Sequence, residues 1–156
     1  MAENAAMADN RPMQVRSGPW DKEAIEDFLD SARIPMRLGS QGAGFPMVQS
    51  LWFLHEGTSL WCATRADSVL ARRLSRDGRC GFEVSSDSPP YRGVRGTATA
   101  TLLPEFAVDI LPRLLERYEQ SETALAIWLL GRREDEVAIR LDGLAVTSWD
   151  YSGRMS

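Results

Sequence analysis

Residues 45–72 constrain the fold of this chain more than any other part of the sequence. Two segments in this stretch, 46–54 and 59–64, mix aromatic and aliphatic residues with β-branched and small ones, which is typical of strands. Between them, Glu56-Gly57-Thr58 has the composition of a tight hairpin turn. A helical pattern begins directly after the second segment, at Ser68. The stretch therefore predicts a strand, a turn, a second strand and the start of a helix.

The start of this helix is a candidate phosphate site. A helix N-terminus carries unpaired backbone N–H groups and the positive end of the helix dipole, and both attract anions. Thr64, Arg65 and Ser68 lie beside that terminus and Arg72 follows in the first turns, so hydroxyl and guanidinium donors accompany the N–H groups. The competing interpretation is structural: Thr64 ends a strand, Ser68 caps a helix, and the two arginines are solvated.

The whole chain has the composition of one globular domain. It has 156 residues, of which 44% are hydrophobic and 26% charged, and this length is sufficient to bury a core. Residues 1–18 are polar, rich in Ala and Met and without a hydrophobic period. We therefore predict a disordered tail over 1–18 and a single domain over 19–156.

Charge, hydropathy and cysteine content argue against several classes of function. The formal net charge of −4 argues against a nucleic-acid partner, which requires an excess of Lys and Arg. No apolar run approaches the roughly 20 residues of a membrane span, and the first residues do not resemble a signal peptide. Cys62 and Cys80 lie in apolar, strand-like segments and are interpreted as buried free thiols. We expect a cytoplasmic protein without a membrane partner.

The remaining hydrophobic patterns complete a mainly β fold. The predicted helices are 21–32, the short one from Ser68, one opened by Pro104, and 122–130. The predicted strands outside the opening stretch are 34–39, 79–86, 91–103, 137–141 and 144–149. The last two are predicted to form a hairpin across Asp142-Gly143, and the acidic run 134–136 to be a solvated turn. The sum is a β-barrel of six or seven mostly antiparallel strands with helices added.

An ordered series of short sequence words points to a known family. The words are 44–46, 47–53, 60–64, 67–68, 81–84, 89–98 and 148–150, and together they cover roughly residues 21–150. This series resembles the FMN-binding split-barrel family typified by pyridoxamine 5′-phosphate oxidase. The resemblance implies a split β-barrel, a homodimer, and two flavin sites between the subunits.

The resemblance also implies which residues bind the cofactor. In this family the first central strand presents its backbone along the isoalloxazine ring, and the next strand end and helix start hold the phosphate. The matching residues here are Val48, Gln49, Ser50, Leu51 and Trp52 for the ring, and Thr64 and Ser68 for the phosphate. An Arg-x-Val-Arg word reaches across from the other subunit or braces the interface, and its arginines here are Arg92 and Arg95.

This chain departs from the family pattern at three places. Family members place a Lys or Arg two residues after the phosphate-binding Ser, where this chain has Leu70, so Arg65 or Arg72 would have to supply the cation. The oxidase itself has a Gln where this chain has Gly93. The C-terminal substrate motif of the oxidase is also missing. Oxidation of pyridoxamine phosphate itself is therefore not expected.

The leading functional hypothesis is an FMN-dependent oxidoreductase that passes a hydride through flavin N5 to an unknown small molecule. No catalytic side chain is predicted, because the sequence holds no nucleophile–base arrangement and no metal-ligand spacing, and hydride transfer requires neither. Three alternatives stay open. One is a reductase that uses a deazaflavin coenzyme, and another is a family relic whose groove is empty. The third is a non-catalytic dimer that holds flavin, haem or another planar ligand, with His55, otherwise a solvated turn residue, as the haem ligand.

Overall fold

The computed structural model describes residues 9–155 as a curled, mainly antiparallel eight-stranded sheet, a half-barrel with four α-helices around it. The strands are β1 (Gln14–Ser17), β2 (Met36–Ser40), β3 (Met47–Leu51), β4 (Leu54–Glu56), β5 (Ser59–Arg65), β6 (Arg79–Ser85), β7 (Arg92–Leu103) and β8 (Glu136–Asp150). The helices are α1 (Lys22–Ser31), α2 (Val69–Arg76), α3 (Ala107–Arg117) and α4 (Ala124–Gly131). The sheet order is β3-β2-β6-β7-β8-β5-β4, and β1 pairs in parallel with β8. The predicted split-barrel class is confirmed.

Strand alternation builds the core inside the curl of the sheet. In β6 every second side chain points inward, so Cys80, Phe82 and Val84 are buried and the residues between them are partly exposed. Helix α1 packs Ile25 and Leu29 against this core, as the predicted stripe requires. Burial raises the pKa of the Cys80 thiol to about 12 because the thiolate would lose its hydration. Cys62, buried in the same cluster, is likewise a free thiol.

Local side-chain caps mark the starts of α1 and α2. Asp21 accepts the backbone N–H of Ala24 over 2.9 Å at the start of α1. At the start of α2, Ser68 accepts the N–H of Ala71 over 3.0 Å. These are the N-cap bonds that short polar side chains make, and both predicted helix starts are confirmed. Among the helices of the described region, none has the length and apolar character needed to cross a bilayer.

The predicted strand over 46–54 is wrong, because it is two strands at opposite ends of the sheet. Strand β3 pairs with β2, whereas β4 forms the tight hairpin with β5. The chain leaves β3 at Trp52 and Phe53, where the backbone N–H of Phe53 donates to the Tyr118 hydroxyl over 3.2 Å instead of to a neighbouring strand. The Phe53 side chain is fully buried in the core. This inward turn carries the chain across the open side of the half-barrel.

The predicted hairpin at Asp142-Gly143 is also wrong, because β8 runs unbroken for 15 residues. The register against β7 changes by one residue at this point, since Thr97 faces Ala145 but Thr99 faces Asp142. One extra residue in one strand is the definition of a β-bulge. Gly143 has a φ of +64°, a left-handed conformation that glycine adopts without strain. The Asp-Gly pair therefore bends a long strand rather than reversing the chain.

The prediction of a disordered tail is wrong for residues 14–17, which form β1. Val15 lies opposite Val146 in a short parallel pairing with β8. Just beyond β1, the backbone N–H of Trp20 donates to the Ser148 hydroxyl over 3.1 Å. Residues 1–8 of the predicted tail lie outside the described residues.

Candidate functional site

The end of β5 and the start of α2 form a corner rich in hydrogen-bond donors. The Thr64 hydroxyl donates to Ser68 Oγ over 3.2 Å, and Ser68 Oγ also accepts the N–H of Ala71. Both bonds use Ser68 Oγ as an acceptor, so its own O–H is left to donate to a third group. The structural role predicted for Ser68, a helix cap, is therefore compatible with binding an anion at the same atom.

Two arginines flank this corner and converge on Asp67. Arg65 forms a two-pronged pair with the Asp67 carboxylate, with N···O distances of 3.0 and 3.2 Å. Arg72 donates to the backbone carbonyl of Asp67 over 2.7 Å. At the position where the resembling family carries a cation, Leu70 is only 1% exposed and packs in the core. Positive charge at the corner thus comes from Arg65 and Arg72, and Asp67 competes for part of it.

Strand β3 forms one end of the sheet in the described chain. It pairs with β2 on one side only, which leaves backbone N–H and C=O groups unpaired along its other edge. Val48 is 71% exposed, and Ser50 is also exposed on the same face. The five residues predicted to contact a ring through their backbone, 48–52, therefore cover four of the five residues of an open edge strand and the first residue after it.

Strands β3 and β5 line one cleft of about 260 Å³, whereas the corner residues Thr64, Arg65, Ser68 and Arg72 are not part of its lining. Ser50, Leu51 and Trp52 line it together with Ala63, the neighbour of Thr64 in β5. The opposite wall comes from α3 and α4. One side of the Trp52 ring is covered by Tyr118, whose ring stacks at 5.0 Å with an interplanar angle of 9°. The structure thus brings the segment predicted for the ring beside β5, and the residues predicted for the phosphate follow Ala63 in the chain but lie outside the lining.

Arg92 and Arg95 do not line this cleft. Arg92 lies at the start of β7 opposite Asp150, and the Arg95 guanidinium lies 6.0 Å from the centre of the Trp149 ring. Arg95 is on the strand three places along the sheet from Ser50, a separation of about 14 Å at the usual strand spacing. Their predicted role in the cofactor site remains a prediction that needs a second subunit.

Glu136 is the residue of this cleft that sequence reasoning missed. The acidic run 134–136 is predicted to be a solvated turn, but the Glu136 side chain is only 6% exposed and lines the cleft. Its Oε1 lies 3.3 Å from the guanidinium of Arg132. Burial raises the pKa of Glu136, while Arg132 acts in the opposite direction. Glu136 is the first residue of β8 and Arg132 follows the end of α4, so no helical spacing in the sequence indicated this pair.

The raised pKa of Glu136 predicts a pH-dependent contribution to stability. Between the ordinary value of 4.5 and the raised value, the folded state holds a proton that the unfolded state has released, so stability falls as pH rises. Glu136→Gln lacks this titration. We expect the stability of the variant relative to the wild type to increase between about pH 4 and pH 7. Urea unfolding at several pH values measures this, and parallel pH profiles for the two proteins would contradict it.

His55 is not the solvated turn residue that the sequence predicts. Its side chain is 7% exposed, and its Nδ1 lies 2.7 Å from Asp30 Oδ1. A cleft of about 460 Å³ beside it is lined mainly by charged side chains, namely Arg33, Arg113, Glu116, Arg117 and Glu119. A porphyrin requires mainly apolar walls. The residues around His55 therefore do not fit haem.

Comparisons with solved structures confirm the fold. A conserved hypothetical protein of Mycobacterium tuberculosis is similar with a TM-score of 0.72 and 25% identity, over 85% of this chain and 86% of that one. An F420 reductase has a TM-score of 0.62 and 21% identity, over 82% and 97% of the two chains. A candidate pyridoxamine 5′-phosphate oxidase of Listeria innocua has a TM-score of 0.58 and 18% identity, over 76% and 90%. No family model and no curated protein matches the sequence.

Proposed function

We propose that this chain, which has the split-barrel fold of pyridoxamine 5′-phosphate oxidase-like proteins, is an FMN-dependent oxidoreductase. The observation that carries the proposal is that the β3 segment assigned to the ring lines one cleft with Ala63 of β5, which directly precedes the donor-rich corner of Thr64 and Ser68 in the chain. Bound flavin would supply hydride transfer through N5, so the protein's contribution is to bind, orient and tune the ring. Hydride transfer by a bound flavin requires no protein nucleophile, and none is predicted from the sequence.

Different groups of the chain would bind the phosphate and the ring of the cofactor. The Ser68 O–H and the first N–H groups of α2 would bind the phosphate, with Arg65 and Arg72 as the nearby cations. Unpaired backbone groups along β3, from Val48 to Leu51, would bind the polar edge of the ring and stabilise the negative charge that reduction places there.

A homodimer in the cytoplasm completes the proposal. Val48 on the edge strand and Ile127 on α4, which is 75% exposed, are apolar side chains that a second subunit would cover. A second subunit would also bring its own Arg92 and Arg95 towards the site. Light scattering at micromolar concentration tests the assembly, and a monomer there would contradict it.

A deazaflavin coenzyme is the second candidate cofactor. A buried leucine, Leu70, occupies the position where family members carry a cation. The phosphate corner therefore lacks that charge, which weakens the case for a terminal phosphate dianion. The likeness to an F420 reductase supports the same alternative. In that case the phosphodiester tail would pass the corner, and the same open edge of β3 would bind the ring.

Absorption spectra and titrations test the cofactor directly. We expect the purified protein to show flavin bands near about 370 and 450 nm and to lose the upper band when a nicotinamide donor reduces it. Protein without these bands should be titrated with FMN and, separately, with a deazaflavin coenzyme, with ligand fluorescence as the measurement. Binding of the deazaflavin alone would reverse the choice of cofactor. Binding of neither would refute the proposed function.

A further inference from the structure

The far wall of the cleft between β3, β5 and the two C-terminal helices is almost wholly apolar. Helix α3 contributes Leu111, Leu114 and Leu115, and α4 contributes Leu129. Together with Leu51, Trp52 and Ala63 on the sheet side, these side chains enclose about 260 Å³. A cavity of about 150 Å³ holds one benzene molecule. The cleft therefore has room for a single substituted ring or a molecule of similar size.

The cleft has one charged lining residue in the described chain, Glu136. Arg132 is not part of the lining, although its guanidinium lies 3.3 Å from Glu136 Oε1 and 4.2 Å from the centre of the Trp128 ring. A molecule in the cleft therefore contacts the Glu136 side chain, whose charge Arg132 and the cross-strand Arg65 partly offset. A carboxylate in an apolar wall attracts an N–H or O–H donor and repels a phosphate or a second carboxylate.

We infer that this cleft is the substrate pocket, and that it takes a small, mainly apolar, non-anionic molecule that directs an N–H or O–H donor at Glu136. The inference rests on the proposed function, because Ser50, Leu51 and Trp52 are both the cleft's lining and the segment assigned to the flavin ring. A molecule held here lies against the part of β3 that would bind the ring. The same carboxylate disfavours a phosphorylated substrate in the cleft.

Four probes of equal ring size test the chemistry of the pocket. Benzylamine and phenol carry a donor, toluene carries none, and benzoate is an anion. We expect calorimetric titration near pH 7 to show that the two donors bind at least about tenfold more tightly than benzoate and more tightly than toluene, since a hydrogen bond to a charged group contributes about 1.5–3 kcal/mol. Equal affinities for all four, or tightest binding of benzoate, would overturn the inference.

A pair of variants, one on α4 and one on α3, tests the location. Leu129→Trp places bulk into the cleft, whereas Val108→Trp adds bulk on the exposed side of α3. We expect Leu129→Trp to abolish binding of benzylamine and phenol, and Val108→Trp to bind them as the wild type does. Glu136→Gln should lower the affinity for benzylamine to the affinity measured for toluene. Unchanged probe binding in Leu129→Trp, in protein that melts as the wild type does, would overturn the assignment.

Flavin content separates this inference from the proposed function. Flavin retention is read from absorbance in the same preparations, and loss of flavin with intact probe selectivity would refute only the oxidoreductase proposal. In flavin-loaded protein we expect phenol to shift the visible bands of the flavin. Selective probe binding without such a shift would place the pocket away from the ring and overturn its role as the substrate pocket.

Discussion

Ser68→Asp is expected to weaken FMN binding about 10- to 100-fold while leaving the stability of the protein close to that of the wild type. Ser68 Oγ accepts the N–H of Ala71 and the hydroxyl of Thr64, and an Asp carboxylate accepts both bonds equally well. The substitution thus keeps the helix cap. It removes the free O–H and places a negative charge where the phosphate would lie, which forfeits charge-assisted contacts worth about 1.5–3 kcal/mol each. Fluorescence titration with FMN measures the loss.

Ser68→Asn is the matched control for that experiment. Asn caps a helix as well as Asp does and has nearly the same shape, but it carries no charge. We expect Ser68→Asn to bind FMN more tightly than Ser68→Asp and to melt at a similar temperature. Equal affinity in the wild type and Ser68→Asp would show that Ser68 is only a cap and would remove it from the site.

The parts of this fold that could be predicted from sequence are those that neighbouring residues determine. Asp21 and Ser68 each satisfy a backbone N–H three residues further on, so the information for both helix starts is local. The alternation in β6 is equally local, because the two faces of a strand differ in hydration at every second residue. The corner at Thr64 and Ser68 could therefore be located before the structure was known.

The errors arose where contacts between distant segments outweigh local preference. The β3 strand ends early because the Tyr118 hydroxyl, 65 residues later, accepts the N–H of Phe53. Glu136 is buried because α3 and α4 enclose it, and nothing within its own acidic run indicates that. His55 is buried against Asp30 of α1 although it adjoins an exposed turn. Each of these contacts depends on how elements pack, which single-sequence periodicity does not encode.

Asp142 is a further residue whose structural role depends on contacts that its local sequence does not indicate. Its substitution has the largest expected effect on stability. An Asp-Gly pair commonly marks a turn, but here the Asp142 carboxylate is buried and has two partners. It accepts the Ser59 hydroxyl over 2.5 Å and the Arg140 Nε over 2.7 Å, and the Arg140 side chain is itself 4% exposed. We expect Asp142→Ala to lower the free energy of unfolding by about 3–5 kcal/mol, because a buried guanidinium loses its carboxylate.

Chemical denaturation with an exposed pair as the control measures this effect. Asp109→Ala removes a solvent-exposed carboxylate from Arg113, and such a pair contributes less than about 1 kcal/mol. Asp142→Asn keeps the shape and one acceptor, so it should fall between the two. A loss below about 1 kcal/mol in Asp142→Ala would show that the buried pair does not stabilise the fold.

Asp142→Ala should also disturb the cleft, because the hydrogen bond from the Ser59 hydroxyl to Asp142 joins β5 to β8 directly at the bulge. Upstream of the bulge, the register sets Glu136 opposite Arg65, and a slip by one residue would turn every β8 side chain in that segment to the other face. We therefore expect Asp142→Ala protein, studied below its melting temperature, to lose the selectivity of the cleft for donor probes over benzoate. Retained selectivity in that variant would show that the β7 pairing alone maintains the register of β8.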